Sequence, residues 1–416
     1  MPAPNTLGID FGTSNSAAGV AVGGNPYLVE LEPGERTLPT AVFFGVRPKR
    51  TRIGSQAVNA LTDGEEGRFL RALKSLLGTP LMREDRMLGG ERVDFIEVTA
   101  RFLRAVKARA EAACRQEFTH ALSGRPVRFH SKDEARNRQA ETDLRDCYRA
   151  AGFADVRFMF EPEAAVHSVA PEPGLGLIAD IGGGTSDFTV FEQDAAGQTR
   201  ILASEGVRIG GTDFDRLLSI AHVMPLLGRG SPIRDAFGPG TLPAPARIYN
   251  DLATWQMIPF LYSAATLRTA RSLHRQAAEP GRLARLVSVL EDELGHDIAF
   301  AAERGKIHAN QPDHPGARIS LGIVERGLSV PLGPGKLAET IAAPAAEIAR
   351  CADEALARAG VAPGSVQRIL LVGGSALLLP VQEALQQLCP EARLHCENAM
   401  TAVAAGLALK AGSAFA

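Results

Sequence analysis

Cysteine is scarce in this chain. There are five, Cys114, Cys147, Cys351, Cys389 and Cys396, an odd number with no Cys-x-x-Cys pair. That argues against a disulfide scaffold or a structural zinc site and fits a reducing compartment. Net charge is nearly absent as well: 45 Lys and Arg stand against 47 Asp and Glu, leaving −2. Neither nucleic acid nor an anionic membrane has an electrostatic claim as the main partner, and the local cluster Arg47-Pro48-Lys49-Arg50-Thr51-Arg52 reads as a solvated loop. No apolar run reaches the roughly twenty residues that a bilayer span needs. The opening Met1-Pro2-Ala3-Pro4-Asn5-Thr6 lacks the basic stretch and apolar run of a secretory signal. These absences predict a cytoplasmic protein without a membrane partner. His167, His274, His296 and His308 share no metal-ligand spacing on a helix face and read as packed or surface histidines. Two nucleotide-binding signatures are also missing: the chain has no G-x-x-x-x-G-K-[ST] loop, and no G-x-G-x-x-G follows a strand.

What is present is an ordinary globular composition, 45% apolar and 22% charged over 416 residues. At roughly 100–200 residues per domain, that length predicts two to four structural units. Leu7 to Phe11 reads as a strand entering the small-residue turn Gly12-Thr13-Ser14-Asn15-Ser16, and Ala17 to Val22 returns from it. Leu175 to Ile181 is a near-continuous apolar run, as expected of a strand covered on both faces. It enters Gly182-Gly183-Gly184-Thr185, and Phe188 to Phe191 returns. Strand, glycine-rich turn, strand thus occurs twice, which suggests two similar lobes. Helical spacing marks residues 95 to 116 and 133 to 151, with Gly152 as a stop. Glu161-Pro162 opens a further helix. Residues 215 to 310 read as mostly helical, interrupted by the Gly/Pro-rich stretch from Gly228 to Pro245. Arg368 to Val372 is a strand punctuated by Gly373-Gly374-Ser375, and a small-residue helix from Thr401 to Lys410 closes the pattern.

The two turns carry the candidate chemistry. Glycine lets backbone N–H groups approach a phosphate without a Cβ in the way, and the hydroxyls of Thr13, Ser14 and Thr185 add donors. Asp10 and Asp180 precede the turns and Asp187 follows the second, so the three could hold a hydrated Mg²⁺, an ion that keeps several waters and takes few carboxylates. Two such loops facing each other could clamp a triphosphate. Taken singly, each motif reads equally well as a tight hairpin turn.

The motifs together resemble the ATPase domain of DnaK-type heat-shock chaperones, within the actin, hexokinase and heat-shock superfamily, and are similar to its divergent YegD-like branch. Gly8 to Ser16 resembles the first phosphate motif, including Gly12, Thr13, Ser14 and Asn15, and Ile178 to Asp187 the second, including Gly182, Gly183, Gly184 and Thr185. Arg36 to Thr40 and Ile53 to Ala57 match two further stretches. Glu161-Pro162-Glu163-Ala164-Ala165 resembles the first connecting motif. Gly210 and Gly211 fall in a third glycine turn near the phosphates, Glu303 and Lys306 in a helix that contacts the nucleoside, and Gly373, Gly374 and Ser375 in the adenosine motif. Lys74-Ser75-Leu76-Leu77-Gly78 fits the motif of the family's catalytic lysine. By itself Lys74 reads as a solvent-facing lysine of an amphipathic helix; the resemblance makes it the ammonium beside the γ-phosphate. Glu161 and Asp180 are the candidates to orient or activate the attacking water, Asp10 and Thr185 are counted with them among the catalytic residues, and Glu161 can also serve as an acid at a helix N-terminus.

The resemblance implies an actin-like ATPase fold: duplicated ribonuclease H-like lobes with mixed five-stranded sheets flanked by helices. Lobe I would be residues 1–172, with an insertion at about 36–115. Lobe II would be 173–416, with a helical insertion at about 215–313 and a C-terminal helix at about 398–411 returning to lobe I. It implies ATP or ADP and Mg²⁺ as cofactors, slow ATP hydrolysis, a monomer or weak oligomer, and a nucleotide-driven switch acting on a protein client or co-chaperone. Three departures stand out. Ala376, Leu377, Leu378 and Leu379 occupy the place of an adenine-stacking arginine. Met400 stands where the second connecting motif carries an acid, with Glu397 nearby. No peptide-binding domain is expected after the ATPase. A small-molecule kinase, an actin-like filament protein and a nucleotide-binding pseudo-ATPase are the rival readings on the same fold. Trp255 reads as a packing residue, and the run Arg268, Arg271, Arg275, Arg282, Arg285 as a solvated helix face.

Overall fold

The computed structural model describes residues 5–130, 133–234, 240–311, 316–396 and 399–415; Met1–Pro4, Glu397 and the expected helix start at 398 lie outside the described residues. The chain divides into two compact units, Met1–Gly210 with Glu347–Ala416, and Gly211–Ala346.

Among the described residues the first unit contains two large sheets, besides a three-stranded one (Ala41–Gly45, Thr51–Ile53, Gly67–Arg71) and a two-stranded one (Arg86–Leu88, Glu91–Val93). Four strands open it: β1 (Thr6–Asp10), β2 (Asn15–Val22), β3 (Asn25–Leu28) and β4 (Thr37–Pro39). Helix α1 (Phe95–Cys114), strand β5 (His120–Arg125), helix α2 (Glu134–Ala150), strand β6 (Asp155–Phe160) and helix α3 (Glu161–His167) follow. The strand order is β6-β5-β1-β2-β3, with β4 on the open edge of β2. The second sheet is built from β7 (Gly174–Ile181), β8 (Ser186–Gln193), β9 (Thr199–Val207), β10 (Arg368–Val372) and β11 (Arg393–His395), in the order β9-β8-β7-β10-β11. In both, a central strand leads through a hairpin into two antiparallel strands and has two parallel strands on its other side. The repeated hairpin seen in the sequence is therefore the visible part of a duplicated sheet. The first sheet has six strands rather than the expected five, because Thr37–Pro39 pairs with Asn15–Ala17, beyond the point where β3 stops.

Local chemistry explains the helix ends. Asp94 caps α1 by accepting the Glu97 N–H at 2.8 Å, and Asp133 caps α2 by accepting that of Arg136 at 3.0 Å. Gly152, at φ 94°, takes the left-handed turn after α2. Phe102, Val106, Leu144 and Tyr148 from these helices join Leu7, Ile9 and Phe11 in one core, each large side chain contributing roughly 1.5–3 kcal/mol on burial. A second core joins Leu122 of β5 to Ile178, Phe191, Leu370 and Val372 of the other sheet through α3 and helix α4 (Ala402–Ala411). Helix α4 packs on β1, β2, β3 and β5. Its small residues permit that approach: a Cβ on Gly406 would lie 1.7 Å from the Ala164 carbonyl oxygen.

The second unit is mostly helical, as expected, with two short two-stranded sheets. Trp255 packs against His296 and Phe300 at 4.8 and 5.1 Å between ring centroids. Arg271 pairs with Glu291 and Arg285 with Glu325 on its surface. All five cysteines are free, and no helix among the described residues is long and apolar enough to cross a membrane.

Candidate functional site

The turn between β1 and β2 is tight: a Cβ on Gly12 would fall 2.1 Å from the Asn15 carbonyl oxygen. The segment after β4 fastens it. The Thr40 N–H donates to the Ser14 carbonyl at 2.8 Å, and the Ser16 and Thr40 hydroxyls meet at 2.8 Å. The second turn closes on itself through Gly182 N–H to Thr185 carbonyl at 2.9 Å. The two turns face each other, since a Cβ on Gly183 would lie 2.3 Å from Ser14 Oγ, while one on Gly184 would meet open space. The third glycine turn packs on the second. A Cβ on Gly210 would lie 2.5 Å from the Gly184 nitrogen, and Ser186 Oγ donates to the Ile209 carbonyl at 2.8 Å. The Gly373-Gly374-Ser375 stretch arrives beside Asp180: Gly373, at φ 82°, would carry a Cβ only 2.4 Å from the Ile181 carbonyl oxygen and 3.2 Å from Asp180 Oδ1. Ser375 is buried.

Beneath these turns sit the charged groups. Lys74 does not face solvent from an amphipathic helix. It lies on the short 3₁₀ turn Leu73–Leu76, and its Nζ is 2.6 Å from Glu161 Oε1, both side chains about nine-tenths buried. Glu161 opens α3, where Pro162 fits the first turn, and Gly124 on β5 leaves room for its side chain. Asp10 and Asp180 end β1 and enter the second turn, and Asp187 lies opposite Asp180 in the β7–β8 register. Burial, then the Glu161 charge, push the Asp10 and Asp180 carboxyls well above the usual carboxylate range; Lys74 opposes the rise in both, and each is lifted further by a neighbouring aspartate. Asp187 is pushed up to about 7, chiefly by burial and by Glu161, with Lys74 and a hydrogen bond from Thr185 opposing. For Lys74, burial works against the ammonium, but Glu161, Asp10 and Asp180 outweigh it and hold its pKa above the ordinary lysine value.

The site thus holds four carboxylates and one ammonium, an arrangement short of positive charge. Hard oxygen donors around a cation deficit suit Mg²⁺. Among the described residues no three His, Cys, Asp or Glu side chains are grouped closely enough to hold a metal ion on their own.

Of the residues singled out in the sequence, Gly12–Asn15, Lys74, Glu161, Asp10, Asp180, Gly182–Thr185, Asp187, Gly210 and Gly373–Ser375 all fall in the first unit. Gly211, Glu303 and Lys306 belong to the second. There Lys306 is buried, 2.8 Å from Asp215 Oδ1, and donates to the Gly211 carbonyl at 3.4 Å. Sequence reasoning missed two features. Met400 places its sulfur 3.0 Å from where a Gly374 Cβ would stand, beside the motif that lacks an arginine. Asp143 and His130 hold the turn after Lys74; each is one polar residue in a charged stretch, with no local pattern to mark it.

The model of the Hsp70 protein family matches residues 6–87 and 84–228. The match takes in all three glycine turns, Lys74 and Glu161, and stops before Glu303, Lys306 and Gly373. Proteins of that family are ATP-binding ATPases of the chaperone class that work with Mg²⁺. Matched over more than half its length, with two sheets of one strand order and two facing phosphate-type turns, the chain belongs to the Hsp70 family and has its actin-like ATPase fold.

Proposed function

We propose that this chain binds Mg-ATP between its two facing glycine turns, hydrolyses it slowly, and uses the cycle as a conformational switch on a protein partner. The observation that carries the reading is the approach of Ser14 to Gly183 on turns entered from Asp10 and Asp180, whose carboxyls feel the charges of the Lys74–Glu161 pair. Backbone N–H groups of Gly12–Asn15 and Gly182–Thr185 would cradle the phosphates, helped by the hydroxyls of Thr13, Ser14 and Thr185. Asp10, Asp180 and Asp187 would hold the Mg²⁺ through its waters. The bound ion would supply the positive charge that the phosphates and the carboxylates both lack.

The chain's own groups do the rest. The Lys74 ammonium stays charged and lies where it can turn from Glu161 toward a terminal phosphate, offsetting charge as the bond to it breaks. Glu161 and Asp180 accept hydrogen bonds from the attacking water and orient it, with positioning outweighing proton abstraction. Gly210, Gly373, Gly374 and Ser375 line the approach to the second turn and would carry the nucleotide's other end, with the Met400 side chain in place of the missing arginine. Gly211, Glu303 and Lys306 are assigned to the nucleotide on the sequence resemblance alone. The lobes are proposed as 1–172 and 173–416, each carrying one sheet, with insertions at about 36–115 and 215–313, so that closure about α3 and α4 would transmit the nucleotide state.

ATP turnover with no added substrate, measured with and without Mg²⁺, tests the proposal. Phosphate release that needs Mg²⁺ and is lost in Lys74→Ala and Asp180→Ala is the expected result. Failure of the intact protein to bind ATP in calorimetry would overturn it.

A further inference from the structure

We infer that Asp143, together with His130, is a positioning residue for Lys74: helix α2 grips the turn that carries the lysine and so sets where the ammonium stands. The inference rests on the catalytic reading of Lys74 and adds to it the device that places the side chain.

The Lys74 turn is held locally at its start, where Ser75 donates to the Ala72 carbonyl from N–H and Oγ at 3.0 and 2.7 Å, but its far end leans on more distant groups. It is a single 3₁₀ turn, Leu73–Leu76, and its closing hydrogen bond from Leu77 N–H to the Lys74 carbonyl is long at 3.4 Å. Left-handed residues bracket it, Ala72 at φ 60° before and Gly78 at φ 75° after. For alanine that conformation costs roughly 1–2 kcal/mol, and such strain persists only where the surroundings over-determine it.

The surroundings here are α2 and the residue range just before it. Asp143 Oδ2 accepts the Gly78 N–H at 3.0 Å, across 65 residues of sequence. His130 Nε2 donates to the Leu77 carbonyl at 2.8 Å, so its proton sits on Nε2. Both partners are themselves fixed. Asp143 Oδ1 accepts from Gln139 at 2.8 Å and from Arg83 at 2.9 Å, and the side chain is almost wholly buried. The His130 backbone exchanges two hydrogen bonds with the buried Asn137 side chain, at 2.8 and 2.9 Å. The turn also lies in backbone contact with α2, because a Cβ on Gly78 would fall 2.5 Å from the Arg136 carbonyl oxygen.

A carboxylate at Asp143 faces the same core as Ala140, Leu144 and Cys147. Burial of a charge there is costly without partners, and three of its hydrogen bonds are made, two of them to the Lys74 segment and the Arg83 that follows it. Release of the turn by an ångström would carry Nζ away from its 2.6 Å contact, a displacement that lowers catalysis by up to about a hundredfold.

The experiment is a mutant cycle read in ATP turnover by the full chain. Asp143→Ala removes the acceptor for Gly78, and Asp143→Asn keeps an oxygen there. His130→Ala and His130→Gln form the parallel pair, since glutamine retains a donor. Expected is a fall in kcat of about tenfold or more for each alanine variant with KM for ATP changed less than about threefold, and recovery of most of the rate in Asn and Gln. In a Lys74→Met background the residual turnover above the enzyme-free rate should show no further loss on the same alanine substitutions, the signature of action through the lysine. Losses that add undiminished in that background overturn the inference and leave the catalytic reading standing. So does normal kcat in both alanine variants while Lys74→Met is dead. A Lys74→Met protein with full activity overturns both. If Asp143→Ala fails to fold, the His130 pair decides.

Discussion

Replacing Lys74 with methionine removes the one ammonium from a pocket that also holds Glu161, Asp10 and Asp180. The side chains of the Lys74–Glu161 pair are only 11% and 10% exposed. At 2.6 Å and an effective dielectric of about 20, their gross attraction is about 6 kcal/mol. Desolvation offsets much of that, and stranding one member of such a pair costs about 3–5 kcal/mol. The two partners should not be equivalent. Without Lys74, Glu161 faces carboxylates alone. Without Glu161, Lys74 still has Asp10 and Asp180, and the charge that raises Asp10, Asp180 and Asp187 is gone. Glu161→Gln is therefore expected to be near neutral or stabilising in the nucleotide-free protein, while both variants lose turnover. The Lys74→Met loss should also depend on pH. Carboxyls whose folded pKa is raised stabilise the fold at low pH and lose that contribution as pH climbs through the folded value. Deprived of Lys74 they rise further, so the penalty should be modest at pH 6, already larger at pH 8.5, and reach its full size only above the further-raised values. Urea and thermal unfolding of the three proteins at both pH values would measure this. Equal losses for Lys74→Met and Glu161→Gln, or a Lys74→Met loss that does not change with pH, would refute the reasoning.

Asp180→Asn relieves the same repulsion, so the nucleotide-free protein should melt higher at pH 8 while its thermal shift with Mg-ATP disappears; parallel melts with and without nucleotide check both. Chelating Mg²⁺ with EDTA should shrink the thermal shift that ATP produces in the unaltered protein, because the phosphates then meet the carboxylates without a cation between them. Gly210→Ala puts a methyl against the Gly184 backbone, which cannot yield as a side chain can; a loss of about 1–3 kcal/mol in stability and weaker ATP binding by calorimetry are expected, with Gly364→Ala, in open space, as the silent control. Gly183→Ala should lower the melting temperature of the nucleotide-free protein and Ser14→Ala should restore it, since the clash is with Ser14 Oγ at 2.3 Å and the Ser14 Cβ stands off at 3.6 Å.

Much of the framework was legible because it depends on near neighbours in the chain. Gly12 and Gly373 mark turns since a Cβ there would strike backbone three residues away or in the adjoining strand. The helices at 95 to 116 and 133 to 151 showed in their residue pattern, which spans only a few turns of chain; the structure adds that Asp94 and Asp133 cap them. The apolar run of β7 announced a strand covered on both faces, and the repeated hairpin announced a duplication. Lys74 was different. Its surroundings in sequence suggest a surface lysine, and only the family resemblance raised it; the structure shows why, since its partner lies 87 residues away.

The amino-acid order alone determined the positions of the glycine turns, the approximate helix limits, the two-fold repetition of strand and turn, and an overall charge close to zero. Tertiary structure alone decided that Ser14 meets Gly183, that Thr37–Pro39 adds a sixth strand, that Lys74 finds Glu161, and that Asp143 supports the turn below it. The physical reason is distance along the chain. Backbone preference and capping act over a few residues, whereas charge pairing and burial act through space, and the folding of two sheets around α3 and α4 is what brings those distant groups within reach.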